Sequence, residues 1–420
     1  MTQIAIMVEN SRAYGRMLIE GIATYAQDNY SWLLRPIAAD EALSTNLRGF
    51  DGIIARIADN RLAKRIQESG RPAVDVFCQK PHIGLAGVDS DHRQIGVKAR
   101  GFFASRGFTN FAYCGFPGTA FSDAREKAYA DDATHVYSPR KRLAIDESQF
   151  YNERVDRILD ARSLSRWLKT LPKPVAVFCC NDLRAIQLQR VALDIGLRVP
   201  EDLAILGVDN DTIACSFAEI PISSINPNSL EIGKSAARIL GTMLARHPAL
   251  KRHRIYRVKP GEITERASTE FMPIDPPWLG HVLLHIEKNM RRPIPASEIF
   301  TLSERSSTFV ENVFKQKFGQ PVQAYITSVK MREARRLISN PNLRISEITY
   351  LCGFSSPQYF CRTFAATFGT SPRTYRETCL CDNKGTMPYS AVKRKGVSSI
   401  PADARAAERS DPNLVAGAGE

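Results

Sequence analysis

The sequence predicts two architectures in one chain: an α/β region of two lobes built on parallel sheets, then an all-α domain. Three observations carry this. Short apolar runs alternate with amphipathic stretches up to about residue 225, three prolines fall within residues 272–277, and only helical periodicity follows them.

Strands are expected at 4–8, 51–55, 73–77, 111–114, 175–179 and 203–208. These runs are rich in Val, Ile and Ala and mostly continuous rather than alternating, the pattern of strands covered on both faces. Helical patterns lie between them at about 14–27, 91–106, 164–170, 182–195 and 229–246. Alternating strands and helices make right-handed βαβ units and parallel sheets. So many units exceed one compact sheet, and two lobes with a cleft between them accommodate the excess. The segment Met272-Pro273-Ile274-Asp275-Pro276-Pro277 continues neither helix nor central strand. The domains are therefore placed at 1–267 for the two-lobed region, 268–277 for a linker, 278–378 for the helical domain and 379–420 for a disordered tail. That tail is rich in Ala, Ser, Gly and charge, with few large apolar groups.

At 420 residues the chain has room for two or three cores. No apolar run approaches the roughly 20 residues that span a bilayer. The apolar start, residues 1–8, is too short for a secretory signal and lacks its basic leader. A cytoplasmic protein without membrane contact is expected. Its nine cysteines are odd in number and scattered, Cys179-Cys180 in an apolar run and Cys379 and Cys381 beside the polar tail. Ordinary reduced thiols are expected, with no metal site and no cofactor. Net charge is +13, and 14 Lys and Arg stand against 7 Asp and Glu between Trp278 and Thr378. A basic domain joined to a near-neutral one points to a polyanion as its partner.

The strongest local signal runs from Ile345 to Arg376. Ile345 and Ile348 begin a helix that ends at Cys352-Gly353-Phe354, with Gly353 placed for a tight turn. Ser355 or Ser356 is able to cap the next helix, with Pro357 in its first turn. Phe360, Phe364 and Phe368 recur every four residues as a buried face, and Gly369-Thr370-Ser371-Pro372 and Tyr375-Arg376 close the unit. A similar arrangement precedes it. Ile294, Ile299 and Phe300 begin a helix, Ser306 caps a second, and Val310, Val313 or Phe314, and Phe318 supply its core before Gly319. A long helix at about 322–339 joins the halves and carries Lys330, Arg332, Arg335 and Arg336.

These residues, over about 278–377, resemble the AraC/XylS-type DNA-binding domain, which has two helix-turn-helix units joined by a linker helix. Phe300 and Arg305 depart from it, standing where a small and an apolar residue are usual. The resemblance implies double-stranded promoter or operator DNA as partner. It places base readers at Ser307, Thr308, Glu311 and Asn312 in the first unit and at Gln358, Tyr359 and Arg362 in the second. Lys330, Arg335 and Arg336 are assigned as phosphate contacts. Glu311 is equally suited to an ion pair.

The first 267 residues resemble the periplasmic-binding-protein-like core of LacI-type regulators. The matching pieces include Asp51-Gly52-Ile53-Ile54, Val88-Asp89-Ser90-Asp91, Arg125-Glu126-Lys127-Ala128-Tyr129 and Cys180-Asn181-Asp182. The most specific is Val199-Pro200-Glu201-Asp202 leading into a strand that ends Gly207-Val208-Asp209. The resemblance implies a small sugar effector in the interlobe cleft, D-xylose ahead of other pentoses, and a homodimer that contacts RNA polymerase if it activates. Sugars need converging Asp, Asn and Arg with an aromatic face, and ligands sit beyond the C-terminal ends of parallel strands. Arg16, Asp91, Arg125, Asn181, Asp182 and Asp209 are the expected effector contacts. Helix capping is the alternative role for Asp91 and Asp182, and pairing with a structural carboxylate is that for Arg125. Tyr14, Phe116 and Phe121 are candidates to stack on the sugar or to fill the core.

Enzyme fingerprints are missing. There is no Gly-x-Gly-x-x-Gly after the first strand, no phosphate-loop lysine, no Gly-x-Ser-x-Gly elbow and no His-Glu-x-x-His. A non-catalytic, effector-controlled transcription regulator is expected. The alternative is a cytoplasmic sugar-binding protein whose helical end contacts other proteins.

Overall fold

A computed structural model describes residues 1–38, 41–58, 60–79, 84–137, 161–245 and 254–382. In chain order the first lobe begins with β1 (Thr2–Met7), α1 (Ala13–Asn29), β2 (Trp32–Pro36), β3 (Gly52–Ala55), α2 (Asn60–Ser69), β4 (Ala73–Asp75) and β5 (Ala86–Ser90). The chain then crosses to the second lobe with α3 (His92–Ser105), β6 (Phe111–Cys114), α4 (Ala120–Tyr129), β7 (His135–Val136), α5 (Ala161–Thr170) and β8 (Val175–Cys179). The same lobe continues with α6 (Asp182–Asp194), β9 (Leu203–Val208), α7 (Thr212–Phe217) and β10 (Ser223–Ile225). Next, α8 (Ser229–Leu244) and β11 (Ile255–Val258) return to the first lobe, and β12 (Ile263–Thr264) ends in the second.

Two six-stranded sheets result, ordered β11-β5-β4-β3-β1-β2 and β12-β10-β9-β8-β6-β7. All pairings are parallel except β10 with β12. Each sheet is covered on both faces. Ile4, Ile54, Val74 and Val88 meet Leu18 and Ile22 of α1 and Ile232, Ala236 and Leu240 of α8 on one side of the first. Its other side buries Ala5, Ile53 and Ala55 against Leu62 and Ile66 of α2. Helices α1 and α8 approach closely because Gly21 and Gly233 face backbone: a Cβ at either would collide with the Leu230 or Leu18 carbonyl. In the second lobe, Ile95, Ala99 and Phe103 of α3 pack with Tyr113, Phe178 and Leu206. Leu164, Leu168, Leu188 and Val191 cover the opposite side.

Three chain segments cross between the lobes, and they are tied together. Ser90 Oγ donates to the Pro227 carbonyl at 3.1 Å, and Asn226 N donates to the Glu262 carbonyl at 3.1 Å. This pinned base leaves the C-terminal strand ends of both sheets facing a shared cleft.

The chain continues as α9 (Pro277–Asn289), α10 (Ala296–Ser303), α11 (Ser307–Phe318), α12 (Val322–Ile338), α13 (Ile345–Leu351), α14 (Pro357–Phe368) and α15 (Pro372–Asp382). Among the described residues no helix is long and apolar enough to cross a membrane. The seven cysteines whose side chains are described are free thiols; those of Cys379 and Cys381 lie outside the described residues.

Several boundaries differ from the sequence expectation. The proposed linker is partly core. Ser268 and Thr269 are buried, with Ser268 Oγ donating to the Ile205 carbonyl at 2.6 Å and Thr269 Oγ1 lying 2.7 Å from Ser223 Oγ. The chain instead divides into a unit of Met1–Asn289 with Ala296–Val313 and a unit of Met290–Pro295 with the chain from Phe314. Ion pairs explain why α9 stays with the second lobe: Lys288 with Glu270 at 2.5 Å, and Arg106 with Glu265 at 2.5 Å and Glu287 at 3.6 Å. The last helix runs to Asp382, four residues into the expected tail; the rest of that tail lies outside the described residues. The strands not expected, β2, β5, β7, β10, β11 and β12, are at most five residues long, and β2, β7, β11 and β12 are the sheet edges.

Candidate functional site

The cleft collects side chains from strand ends and helix starts of both lobes. From the first lobe, Arg12 and Tyr14 stand at the start of α1, Arg56 follows β3, Phe77 follows β4 and Asp89 is near the end of β5, while His92 opens α3 at the crossing to the second lobe. From the second come Phe121 and Arg125 on α4, Asn181 between β8 and α6, and Asp209 after β9. The space measures about 600 Å³ counted out to its open mouth.

Each polar group is held by its own fold-derived partners. Asp89 is buried, accepts from Ser90 N at 2.8 Å and from Arg257 Nη1 at 2.9 Å, and lies 3.0 Å from His92 Nε2. Burial, opposed by Asp89, pulls the His92 pKa down, so a neutral imidazole is favoured at neutral pH. With Nε2–H directed at Asp89, Nδ1 is the acceptor, and it has no partner among the described residues. Arg125 is 3% exposed, donates through Nη1 to the Cys180 carbonyl, and sits 5.1 Å from the Phe121 ring centre. The Arg56 guanidinium lies 4.0 Å from the Phe77 ring centre and 5.5 Å from that of Tyr14. Asp209 has a left-handed backbone at φ +115°, a costly conformation for a non-glycine residue. Burial raises its carboxyl to about 6 against the pull of Arg125, Arg56 and Arg12.

Arg125, Asn181 and Asp209 therefore line the cleft, while the other three expected contacts do not. Asp91 is turned onto its own helix, accepting from Gln94 N at 3.0 Å as the N-cap of α3. Its neighbour Asp89 faces the cleft instead. Arg16 is half exposed and braces the β1–α1 loop, donating to the Ser11 carbonyl at 2.5 Å and lying 3.7 Å from Asp211. Asp182 sits behind Asp209, accepting from Ser224 Oγ at 2.5 Å and Asp211 N at 2.9 Å. Of the aromatic candidates, Tyr14 and Phe121 line the space and Phe116 is core. Sequence reasoning missed Arg12, Arg56, Phe77, Asp89 and His92. The signal was present for Arg56 and Phe77, which directly follow buried apolar runs, where parallel strands deliver ligand contacts.

Burial, with Asp209 beside it, pushes the Asp182 carboxyl up to about 8. Its folded pKa thus exceeds the unfolded value of about 3.9, so the native state keeps a proton that the unfolded chain has lost. Stability falls as pH rises through the folded pKa. We expect a lower unfolding temperature at pH 8.5 than at pH 6.5, and a flatter profile for Asp182→Asn, by thermal unfolding of the full chain.

In the helical region Ser306 Oγ accepts from Phe309 N at 3.3 Å at the start of α11. Ser307, Thr308 and Asn312 are exposed there, and Glu311 is half-buried. Ser356, not Ser355, caps α14, accepting from Tyr359 N at 3.2 Å. Phe360 and Phe364 are buried beneath it, while Gln358, Tyr359 and Arg362 face solvent. Arg362 lies 5.6 Å from the Tyr359 ring centre, and that ring packs 5.8 Å from Phe354, so both outward groups are pre-oriented. An aromatic triad repeats fifty residues apart: Phe314, Phe318 and Tyr325 at 4.5–5.4 Å, then Phe364, Phe368 and Tyr375 at 4.6–5.9 Å. Arg376 Nε caps α12 through the Ile338 carbonyl at 2.9 Å.

Of the three expected phosphate contacts, Lys330 is placed otherwise. It is buried, and Nζ donates to the Arg292 carbonyl at 2.7 Å and the Gly353 carbonyl at 2.8 Å. An ammonium spent on two backbone carbonyls is not presented to DNA. Arg335 and Arg336 are exposed, the latter paired with Glu333 at 2.8 Å.

These two parts define a class: a two-lobed core with a small-molecule cleft joined to a helix-turn-helix DNA-binding domain, the architecture of a transcription regulator. The periplasmic binding protein-like domain family matches residues 101–269, and the helix-turn-helix domain family matches residues 298–378. Along nearly its whole length the chain is similar to the xylose operon regulatory protein of Escherichia coli (strain K12), 24% identical over 391 residues, 89% of this chain and 97% of that one. The protein of that name from Haemophilus influenzae is 24% identical over 394 residues, 90% of this chain and 98% of that one. The solved xylose-binding transcription activator XylR shares the fold with a TM-score of 0.55 at 23% identity, covering 90% of this chain and 98% of that one.

Proposed function

We propose that the protein is a sequence-specific regulator of transcription whose DNA binding is set by a small sugar in the interlobe cleft. The observation that carries the reading is the cleft lining. Arg125, Asn181, Asp89, Asp209 and the unpartnered His92 Nδ1 surround a space walled by Phe77, Phe121 and Tyr14. Hydroxyl-rich ligands need this mixture of donors, acceptors and ring faces. D-xylose is the first effector to test, because it is named for the relatives.

A bridge from the cleft to α9 supports control by the ligand. Asn210, next to Asp209, accepts from Arg266 Nη2 at 2.9 Å. Glu265, the neighbour of Arg266, holds Arg106, which also faces Glu287 on α9. Closure of the lobes on a ligand changes occupancy of two conformations only through differential affinity for them. The protein acts as a homodimer on paired half-sites in this reading, and recruits RNA polymerase where it activates.

Fluorescence anisotropy with upstream DNA tests the proposal. Binding is expected to be sequence-specific and to weaken steeply with salt. Arg362→Ala is expected to cost ~1–3 kcal/mol of specific binding and relax preference at one base pair. An effector present at ~100 times its Kd is expected to stabilise the chain by about 2.7 kcal/mol. Binding that shows neither sequence preference nor response to any sugar overturns the proposal.

A further inference from the structure

We infer that the ligand of the cleft is an acidic monosaccharide, a sugar bearing one carboxylate, rather than a neutral pentose. This rests on the sugar reading above and narrows it by charge.

A neutral sugar is served by a charge-balanced shell, and this shell is unbalanced. Arg12 and Arg125 line the cleft with Asp89 and Asp209. Asp89 is already answered from outside the lining by Arg257 at 2.9 Å. The neighbouring carboxyls of Asp182, Asp211 and Glu9 do not line the cleft. Asp182, raised to about 8, holds its proton at neutral pH. Asp211 accepts from Ala13 N at 3.1 Å and from Ala214 N at 3.2 Å, and faces Arg16. Glu9 accepts from Ser11 N at 2.5 Å. Asp209 is left as the carboxylate on which the guanidiniums of Arg125, Arg56 and Arg12 bear.

Arg12 is the surplus cation. It stands at the N-cap position of α1 without capping it, and its guanidinium makes no hydrogen bond or ion pair among the described residues. Arg125 adds a 3%-exposed guanidinium whose Nε has no partner. A buried donor of this kind calls for an acceptor from the ligand. One carboxylate cancels one surplus charge and fits the planar guanidinium fork. A phosphomonoester, at about −1.5 to −2, overshoots it. The ring hydroxyls of such a sugar still meet Asn181, Asp209 and His92 Nδ1.

Isothermal titration calorimetry of the full chain against matched pairs tests this: D-xylonate with D-xylose, D-glucuronate with D-glucose, and D-glucose 6-phosphate as the phosphate arm. One acid is expected to bind about tenfold or more tighter than its neutral parent, the scale of one charge-assisted contact. Arg12→Gln is expected to narrow that ratio. A neutral sugar binding as tightly as its acid overturns the inference and leaves the sugar reading intact. Strongest binding by the phosphate ester, or an unchanged ratio in Arg12→Gln, also overturns it. Binding by none of these overturns both.

Discussion

Phe364→Ala is expected to remove about 3–5 kcal/mol from the C-terminal unit, the cost of emptying a fully packed aromatic site. Phe364 is 0% exposed, with ring centres of Phe368, Tyr375 and Phe360 at 4.6, 5.6 and 5.8 Å. It sits where α14 meets both the preceding turn, through Phe360 and Phe354, and the following α15, through Tyr375. The cavity therefore loosens the helix that presents Gln358, Tyr359 and Arg362. Urea unfolding is expected to show an early transition for the C-terminal unit, with specific DNA binding lost alongside it. Phe368→Ala, at a half-buried position, is expected to cost less. A loss below ~1 kcal/mol for Phe364→Ala contradicts the packing, since that is the scale of an ordinary surface change.

The fold was legible where a residue's role is set by its near neighbours in sequence. Central strands, buried on both faces, appear as unbroken apolar runs, and all six expected ones were placed within two residues at each end. The one expected at 73–77 stops two residues early at Asp75, whose carboxylate takes the amides of Phe77 and Cys78 at 2.9 and 3.2 Å and turns the chain out of the sheet. The turn-and-aromatic pattern from Ile345 to Arg376 was legible for the same local reason, with Gly353 at φ +66° and Gly369 at φ +75°. The cleft was less so. Whether a carboxylate beyond a strand faces the cleft or its own helix depends on backbone angles one residue away. Asp89 and Asp91 are two positions apart and went opposite ways. The domain division was also hidden. Prolines at 272–277 mark where regular structure breaks, but Arg106, Glu265, Glu287, Lys288 and Glu270 decide what packs together, and those partners are distant in sequence.

Lys330→Met separates two roles for a lysine on a DNA-binding helix. A phosphate contact would be lost with no change in stability and with a salt dependence reduced by about one unit. The structure predicts the reverse. Methionine keeps the length and apolar stem of the side chain but leaves the Arg292 and Gly353 carbonyls without their donor. Each buried unsatisfied group costs about 1–3 kcal/mol, so a loss of roughly 2–4 kcal/mol of unfolding free energy is expected. Gly353 shows how tight this junction is: a Cβ there would collide with the Met290 carbonyl and sit 2.6 Å from Arg292 N. The ammonium thus fastens the turn of the second helix-turn-helix to the segment after α9, and burial lowers its pKa from the ordinary lysine value. Arg335→Ala is the contrasting variant. Its guanidinium is exposed, and its loss is expected to leave stability within about 0.5 kcal/mol while shallowing the salt dependence of DNA binding. Urea unfolding and anisotropy at several salt concentrations on both variants read the two effects independently. A stable Lys330→Met protein with a reduced salt slope would return Lys330 to the DNA surface.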